Sequence, residues 1–258
     1  MRRVIAPAIA LVIGLGGRAA AHVAPSASDN NRYLKLTPLG DRVRLAYTVF
    51  YGDVPGAELR RAIDTNHDGA IDDAESQAFA GRIAREVAAA LDVTVDGAPQ
   101  PVVWSEVIAG MGTPRTAAGN FSIDLVAPLC LAAPRGAHAI ELRDRFELLR
   151  PGETEIRFED SPGVTVDAAR VGDDTFPGID YKIIGPTPAL AGSGSDRGIE
   201  LRFTAGQASV VASDAACRAA PPRRELPAGA IAGAAAVALI LGGAAVIRAR
   251  RARPRRRT

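Results

Sequence analysis

Residues 42–51 read RVRLAYTVFY, and this stretch decides the fold class. Val43, Leu45, Tyr47 and Val49 alternate with Arg42, Arg44, Ala46 and Thr48. Successive side chains of a strand point to opposite faces, so a period of two writes one dry face and one wet face. Working outward, NFSIDL (120–125) sets Phe121, Ile123 and Leu125 against Asn120, Ser122 and Asp124. AHAIELRD (137–144), ETEIRFED (153–160) and GIELRFT (198–204) repeat the pattern with charges on the wet face. Strands of this kind, separated by turn signals, predict a mainly β, antiparallel, sandwich-like domain. Asp96-Gly97, between LDVTV and QPVVW, predicts a hairpin turn. The pattern permits, without requiring, a boundary between two β domains near residues 145–153.

The ends of the 258-residue chain read differently. Arg2 and Arg3, an apolar run over 4–17 and Ala19-Ala20-Ala21 make the three parts of a secretory signal peptide. Cleavage after Ala21 is expected, since cutting one residue earlier would place Arg18 at the −3 position. Residues 228–247, AGAIAGAAAVALILGGAAVI, carry no charge and match the hydrocarbon thickness of a bilayer. The RARRARPRRRT tail (248–258) follows at once, and its Arg residues hold the C-terminus on the cytoplasmic side. The organisation read from this is a signal peptide (1–21), a β-rich ectodomain (22–218), a Pro-rich stalk (219–227), a single transmembrane helix (228–247) and a basic tail. The ectodomain then stands outside the cytoplasm, periplasmic or extracellular, tethered to a bacterial cell membrane.

Charge supports that division. Arg2, Arg3, Arg18 and the seven tail Arg residues supply +10 of a net +2, and no Asp or Glu lies outside 22–226. Residues 22–226, the ectodomain with its stalk, therefore carry −8, which argues against nucleic acid and suits cations. Its two cysteines, Cys130 and Cys217, lie in an exported segment where a disulfide forms readily. The competing reading starts from residues 217–258. Cys217, a Pro-rich stretch, an apolar helix and an Arg cluster resemble the C-terminal sorting signals of some bacterial surface proteins, which implies a modified Cys217 and a processed tail.

Helical period is confined to one region. In VPGAELRRAI (54–63), Pro55 suits a first helical turn and Leu59 and Ile63 lie one turn apart. In SQAFAGRIAREVAAAL (76–91), Phe79, Ile83, Val87 and Leu91 form one apolar stripe. Between them stands DTNHDGAIDDAE, residues 64–75. Helix, acidic loop and helix, spanning residues 55–91, resemble the EF-hand, position by position. The resemblance implies side-chain oxygen ligands from Asp64, Asn66 and Asp68, a sharp turn at Gly69 and a carbonyl ligand from Ala70. It further implies an apolar anchor at Ile71, a direct or water-mediated ligand at Asp72 and a bidentate one at Glu75. Calcium is the expected ion, because a hard cation wants six to eight oxygens. No second loop accompanies it: in DVTVDGAPQPVV (92–103), Val103 stands where Glu is required. A lone extracytoplasmic site is expected to stabilise its scaffold rather than to switch.

More broadly, AHVAPSASDNNRYLKL, the strand after it, one such loop and FEDSPGV resemble the extracytoplasmic N-terminal domain of some bacterial nickel/cobalt transporter-like membrane proteins. Those continue into several membrane helices, whereas one is read here, so any transport activity would come from another subunit. The expected function is thus a membrane-tethered calcium-binding interaction module with a protein partner. The rival is an accessory in nickel, cobalt or copper handling, with His22 as a chelating mature N-terminus. His138 shares a strand face with Ile140 and Leu142 and reads as a core histidine. Catalysis is not expected, for there is no GxSxG, no HExxH and no phosphate-binding glycine loop. Ser122, Asp124 and the pair Asp173-Asp174 read as outward polar groups, and Trp104 as a core filler.

Overall fold

A computed structural model of the chain describes residues 28–172, 174–176, 181–184, 198–212, 216 and 217. The strand pattern folds into twelve strands and two helices among these residues. The strands are β1 (Asn30–Pro38), β2 (Arg42–Tyr51), β3 (Leu91–Val95), β4 (Ala98–Pro99), β5 (Glu106–Gly110), β6 (Phe121–Cys130), β7 (Gly136–Asp144), β8 (Pro151–Phe158), β9 (Val164–Val171), β10 (Asp174–Phe176), β11 (Tyr181–Ile184) and β12 (Ile199–Ala205). The helices are α1 (Asp53–Ile63) and α2 (Asp73–Ala90). One sheet runs β11-β8-β1-β2-β6-β5, the other β10-β9-β12-β7-β3-β4. The protein is mainly β, with two sheets and two helices among the described residues.

The dry faces read from the sequence are the faces that are buried. Val43, Leu45, Tyr47 and Val49 of β2 are fully buried, as are Ile123 and Leu129 of β6. They share one core with Val93 of β3, Leu142 of β7 and Leu201 and Phe203 of β12 in the other sheet. Asp96 and Gly97 turn the β3–β4 hairpin with φ of 52° and 78°, as type I′ geometry demands.

Strand direction departs from expectation. β1 runs parallel to β8, with Leu34 opposite Ile156 and Leu36 opposite Phe158, so the first sheet is mixed rather than antiparallel. Alternation specifies which face is buried and is indifferent to direction, since Ile156 points inward either way. The chain crosses from β7 through residues 145–150 and joins the free edge of β1, where the N–H of Asn30 donates to the carbonyl of Arg150 at 2.9 Å. That pairing also removes the optional domain boundary near 145–153, because β1 and β8 belong to one sheet and one core.

Cys130 and Cys217 are joined in a disulfide. No helix among the described residues is long and apolar enough to cross a membrane. Residues 1–21 and 228–247, read above as leader and span, lie outside the described residues.

The helices follow β2 and lead into β3, and aromatic packing docks them. Phe79 of α2 meets Tyr51 and Phe121 at centroid distances of 6.0 and 5.9 Å, and those two rings stack at 4.7 Å. Trp104 packs against the core and donates its indole N–H to the carbonyl of Ala84 at 2.7 Å. Phe79, Ile83 and Val87 form the buried face of α2.

At the turn into β9, Gly163 has φ of 76° and sits against the backbone of Ala208 and Ser209. Its carbonyl accepts the N–H of Gly206 at 2.8 Å. A Cβ there would meet backbone that cannot yield and would force a left-handed conformation on a side-chain-bearing residue. Gly163→Ala is expected to lower stability by about 2–3 kcal/mol in urea unfolding. A loss under about 0.5 kcal/mol, the range of an ordinary surface substitution, would contradict this account.

Candidate metal centre

The loop of residues 64–72 is bounded by helix ends that the sequence fixes. Asp64 caps α1, its N–H donating to the carbonyl of Arg60 at 3.1 Å. Asp72 is the N-cap of α2 and forms a reciprocal capping box with Glu75. The Asp72 carboxylate accepts the N–H of Glu75 at 2.8 Å, and the Glu75 carboxylate accepts that of Asp72 at 3.2 Å. This D-x-x-E signature was legible in the sequence. There it was absorbed by the ligand reading, which asks for the same two residues.

Within the loop, each acidic side chain holds backbone. Asp64 accepts the N–H groups of Asp68 and Gly69 at 3.2 and 3.0 Å. Asn66 accepts that of Asp68 at 2.9 Å, and Asp68 that of Ala70 at 2.9 Å. Gly69 has φ of 85° with open space where a Cβ would stand. His67, at φ of 59°, is exposed, as its place in the pattern implies. Ile71 is buried at 5% exposure and anchors the loop in the core.

Glu75 reaches furthest. One carboxylate oxygen accepts the Thr65 N–H at 2.7 Å, the Thr65 hydroxyl at 2.8 Å and the Asn66 N–H at 3.3 Å. The Thr65 hydroxyl, helped by the N–H groups of Asp72, Thr65 and Asn66, holds its carboxyl below the usual carboxylate range. It is thus kept ionised, as a cation ligand must be.

Among the described residues, no three His, Cys, Asp or Glu side chains lie close enough together to hold a metal ion as they stand. The geometry explains why. Both Glu75 oxygens face N–H or hydroxyl groups, so bidentate ligation requires that carboxylate to turn. The donor set itself fits a hard cation: four carboxylates, the Asn66 amide and the Ala70 carbonyl, in one loop of fixed turn.

Sequence reading missed what lies behind the loop. Arg60 of α1 is wholly buried, although ELRRAI marks it as no different from exposed Arg61. Its guanidinium donates to the carbonyls of Thr113 at 2.7 Å, Gly119 at 3.0 Å, Asn120 at 3.2 Å, Arg115 at 3.3 Å and Met111. It also lies 5.2 Å from the centroid of the Phe121 ring. Five carbonyls of the β5–β6 loop converge on one cation, a long-range feature with no local signal.

His138 is buried as well. Its ring nitrogens meet the Asp96 carboxylate at 2.9 Å and the Arg135 carbonyl at 3.2 Å, so both are engaged within the fold. Ser122 donates to Asp124 at 2.8 Å on the outer face of β6, and the Thr48 hydroxyl donates to the same carboxylate at 2.6 Å. No protein-family model matches the chain, and no curated protein matches it.

Proposed function

We propose that α1, residues 64–72 and α2 form a single EF-hand that binds calcium through Asp64, Asn66, Asp68, the Ala70 carbonyl, Asp72 and Glu75. The observation that carries this reading is the turn at Gly69. Its left-handed backbone brings its N–H onto the Asp64 carboxylate, so the first and sixth loop positions are tied as a wrapped oxygen cage needs. The acidic ectodomain supports a cation ligand, and the disulfide suits an oxidising compartment. With the leader at 1–21 and the apolar stretch at 228–247, the chain reads as a membrane-tethered, non-enzymatic module whose β scaffold the ion stabilises for a protein partner.

Calcium is expected to raise the unfolding temperature of the full chain in detergent. Sites of this class bind with Kd of about 10⁻⁴–10⁻³ M. At roughly 5 mM calcium the native state gains about 1–2 kcal/mol, a rise of a few degrees. Chelator should abolish the rise, and so should Glu75→Gln, which keeps the helix cap while removing a bidentate ligand. An equal shift in Glu75→Gln would defeat the assignment.

A further inference from the structure

The ligand loop has a second side, and it is occupied. The Ile71 N–H donates to the carbonyl of Pro114 at 2.7 Å, and Ala70 forms an isolated antiparallel bridge with Arg115. The Gly69 carbonyl accepts both the N–H and the hydroxyl of Thr116, at 3.2 and 3.1 Å. Residues 69–71 therefore present one edge to the proposed ion and the other to residues 114–116. The base of the same β5–β6 loop is fixed from α1, by Arg60 and by the Asp53 carboxylate, which accepts the Asn120 N–H at 3.1 Å.

We propose that Pro114-Arg115-Thr116 is a built-in partner strand of the calcium loop, so that calcium binding and the order of residues 111–120 form one coupled equilibrium. The inference rests on the calcium reading above and adds to it a destination for the ion's effect. Ala70 sits at the junction: its carbonyl is the proposed ligand, and its backbone bridges Arg115. Fixing the 69–71 backbone about an ion removes freedom that the strand pairing would otherwise have to remove alone. By linkage, the pairing strengthens ion binding by the same factor by which the ion strengthens the pairing. Residues 111–120 also wall a cleft shared with Phe50, Asp53 and Ser122, so the shape of that cleft follows calcium occupancy.

The test is amide hydrogen exchange and calorimetric calcium titration of the full chain in detergent, for wild type, Glu75→Gln and Thr116→Val. Calcium is expected to slow exchange at Ile71, Thr116 and across 111–120 in wild type, and to leave Glu75→Gln unchanged. Thr116→Val, which removes one hydrogen bond to Gly69, is expected to weaken calcium binding about two- to tenfold. Wild type that binds calcium with unchanged exchange over 111–120 overturns the coupling and leaves the calcium site standing. Wild-type affinity in Thr116→Val overturns the coupling equally. Wild type that does not bind calcium overturns the site itself, and the coupling with it.

Discussion

Replacing Cys130 and Cys217 together by Ser is expected to lower the unfolding free energy of the chain by about 4–5 kcal/mol. The bridge closes a loop over a sequence separation of 87 residues, and a loop that long carries a large closure entropy in the unfolded chain. It also joins the sheets: Cys130 ends β6 of the first, while Cys217 follows β12 of the second. Among the described residues, the segment after β12 is also hydrogen-bonded to the turn between β1 and β2. The Gly40 N–H donates to the carbonyl of Val210 at 2.7 Å, and the Ala212 N–H to the Asp41 carboxylate at 3.4 Å. Those bonds are individually worth about 1 kcal/mol and cannot replace the covalent closure. Urea unfolding of wild type, oxidised and reduced, beside the double variant gives the measurement. The reduced wild type should match the variant. A shift below about 1 kcal/mol would mean that the unfolded chain is already restrained, and that closure entropy is not what the bridge removes.

What the sequence made legible follows from the range of each signal. The alternation of Val43, Leu45, Tyr47 and Val49 is local and survives in the structure as a buried face. So is the stripe of Phe79, Ile83 and Val87 on α2, whose expected fourth member, Leu91, instead opens β3. Strand direction is not local, and the parallel pairing of β1 with β8 depends on a crossover between sheets that alternation does not encode. The loop residues of the candidate site were legible because their order is itself the pattern. Their surroundings were not: Arg60 and residues 111–120 are brought together from elements some 50 to 60 positions apart, and neither segment carries a repeat or motif. The Asp72–Glu75 capping box shows a subtler loss, since one set of residues serves two arrangements and the louder reading hides the quieter one.

An ion pair in the core is likewise assembled from distant parts of the chain. Arg32 of β1 and Asp144 of β7 are both fully buried, and their side chains meet between the two sheets. The Tyr47 hydroxyl donates to the same carboxylate at 2.8 Å, the Phe146 N–H donates to it at 2.8 Å, and Arg32 also reaches the Phe146 carbonyl. Burial raises the Asp144 carboxyl above its usual range, against the pull of Arg32, the Phe146 N–H and the Tyr47 hydroxyl. Taking both charges out of water offsets much of their attraction, so the pair is expected to add little net stability. Breaking it in half is another matter. Asp144→Ala strips the acceptor from a buried guanidinium, a buried phenol and a backbone N–H at once. It is expected to cost about 3–5 kcal/mol. Arg32→Met with Asp144→Leu removes both charges and restores apolar volume, and should recover most of that loss. Urea unfolding of Arg32→Met, Asp144→Leu and the double variant completes the cycle, with Asp144→Ala measured beside them. A double variant that stays several kcal/mol below wild type would mean that the pair does stabilise the fold, and that the attraction between Arg32 and Asp144 exceeds the price of burying them.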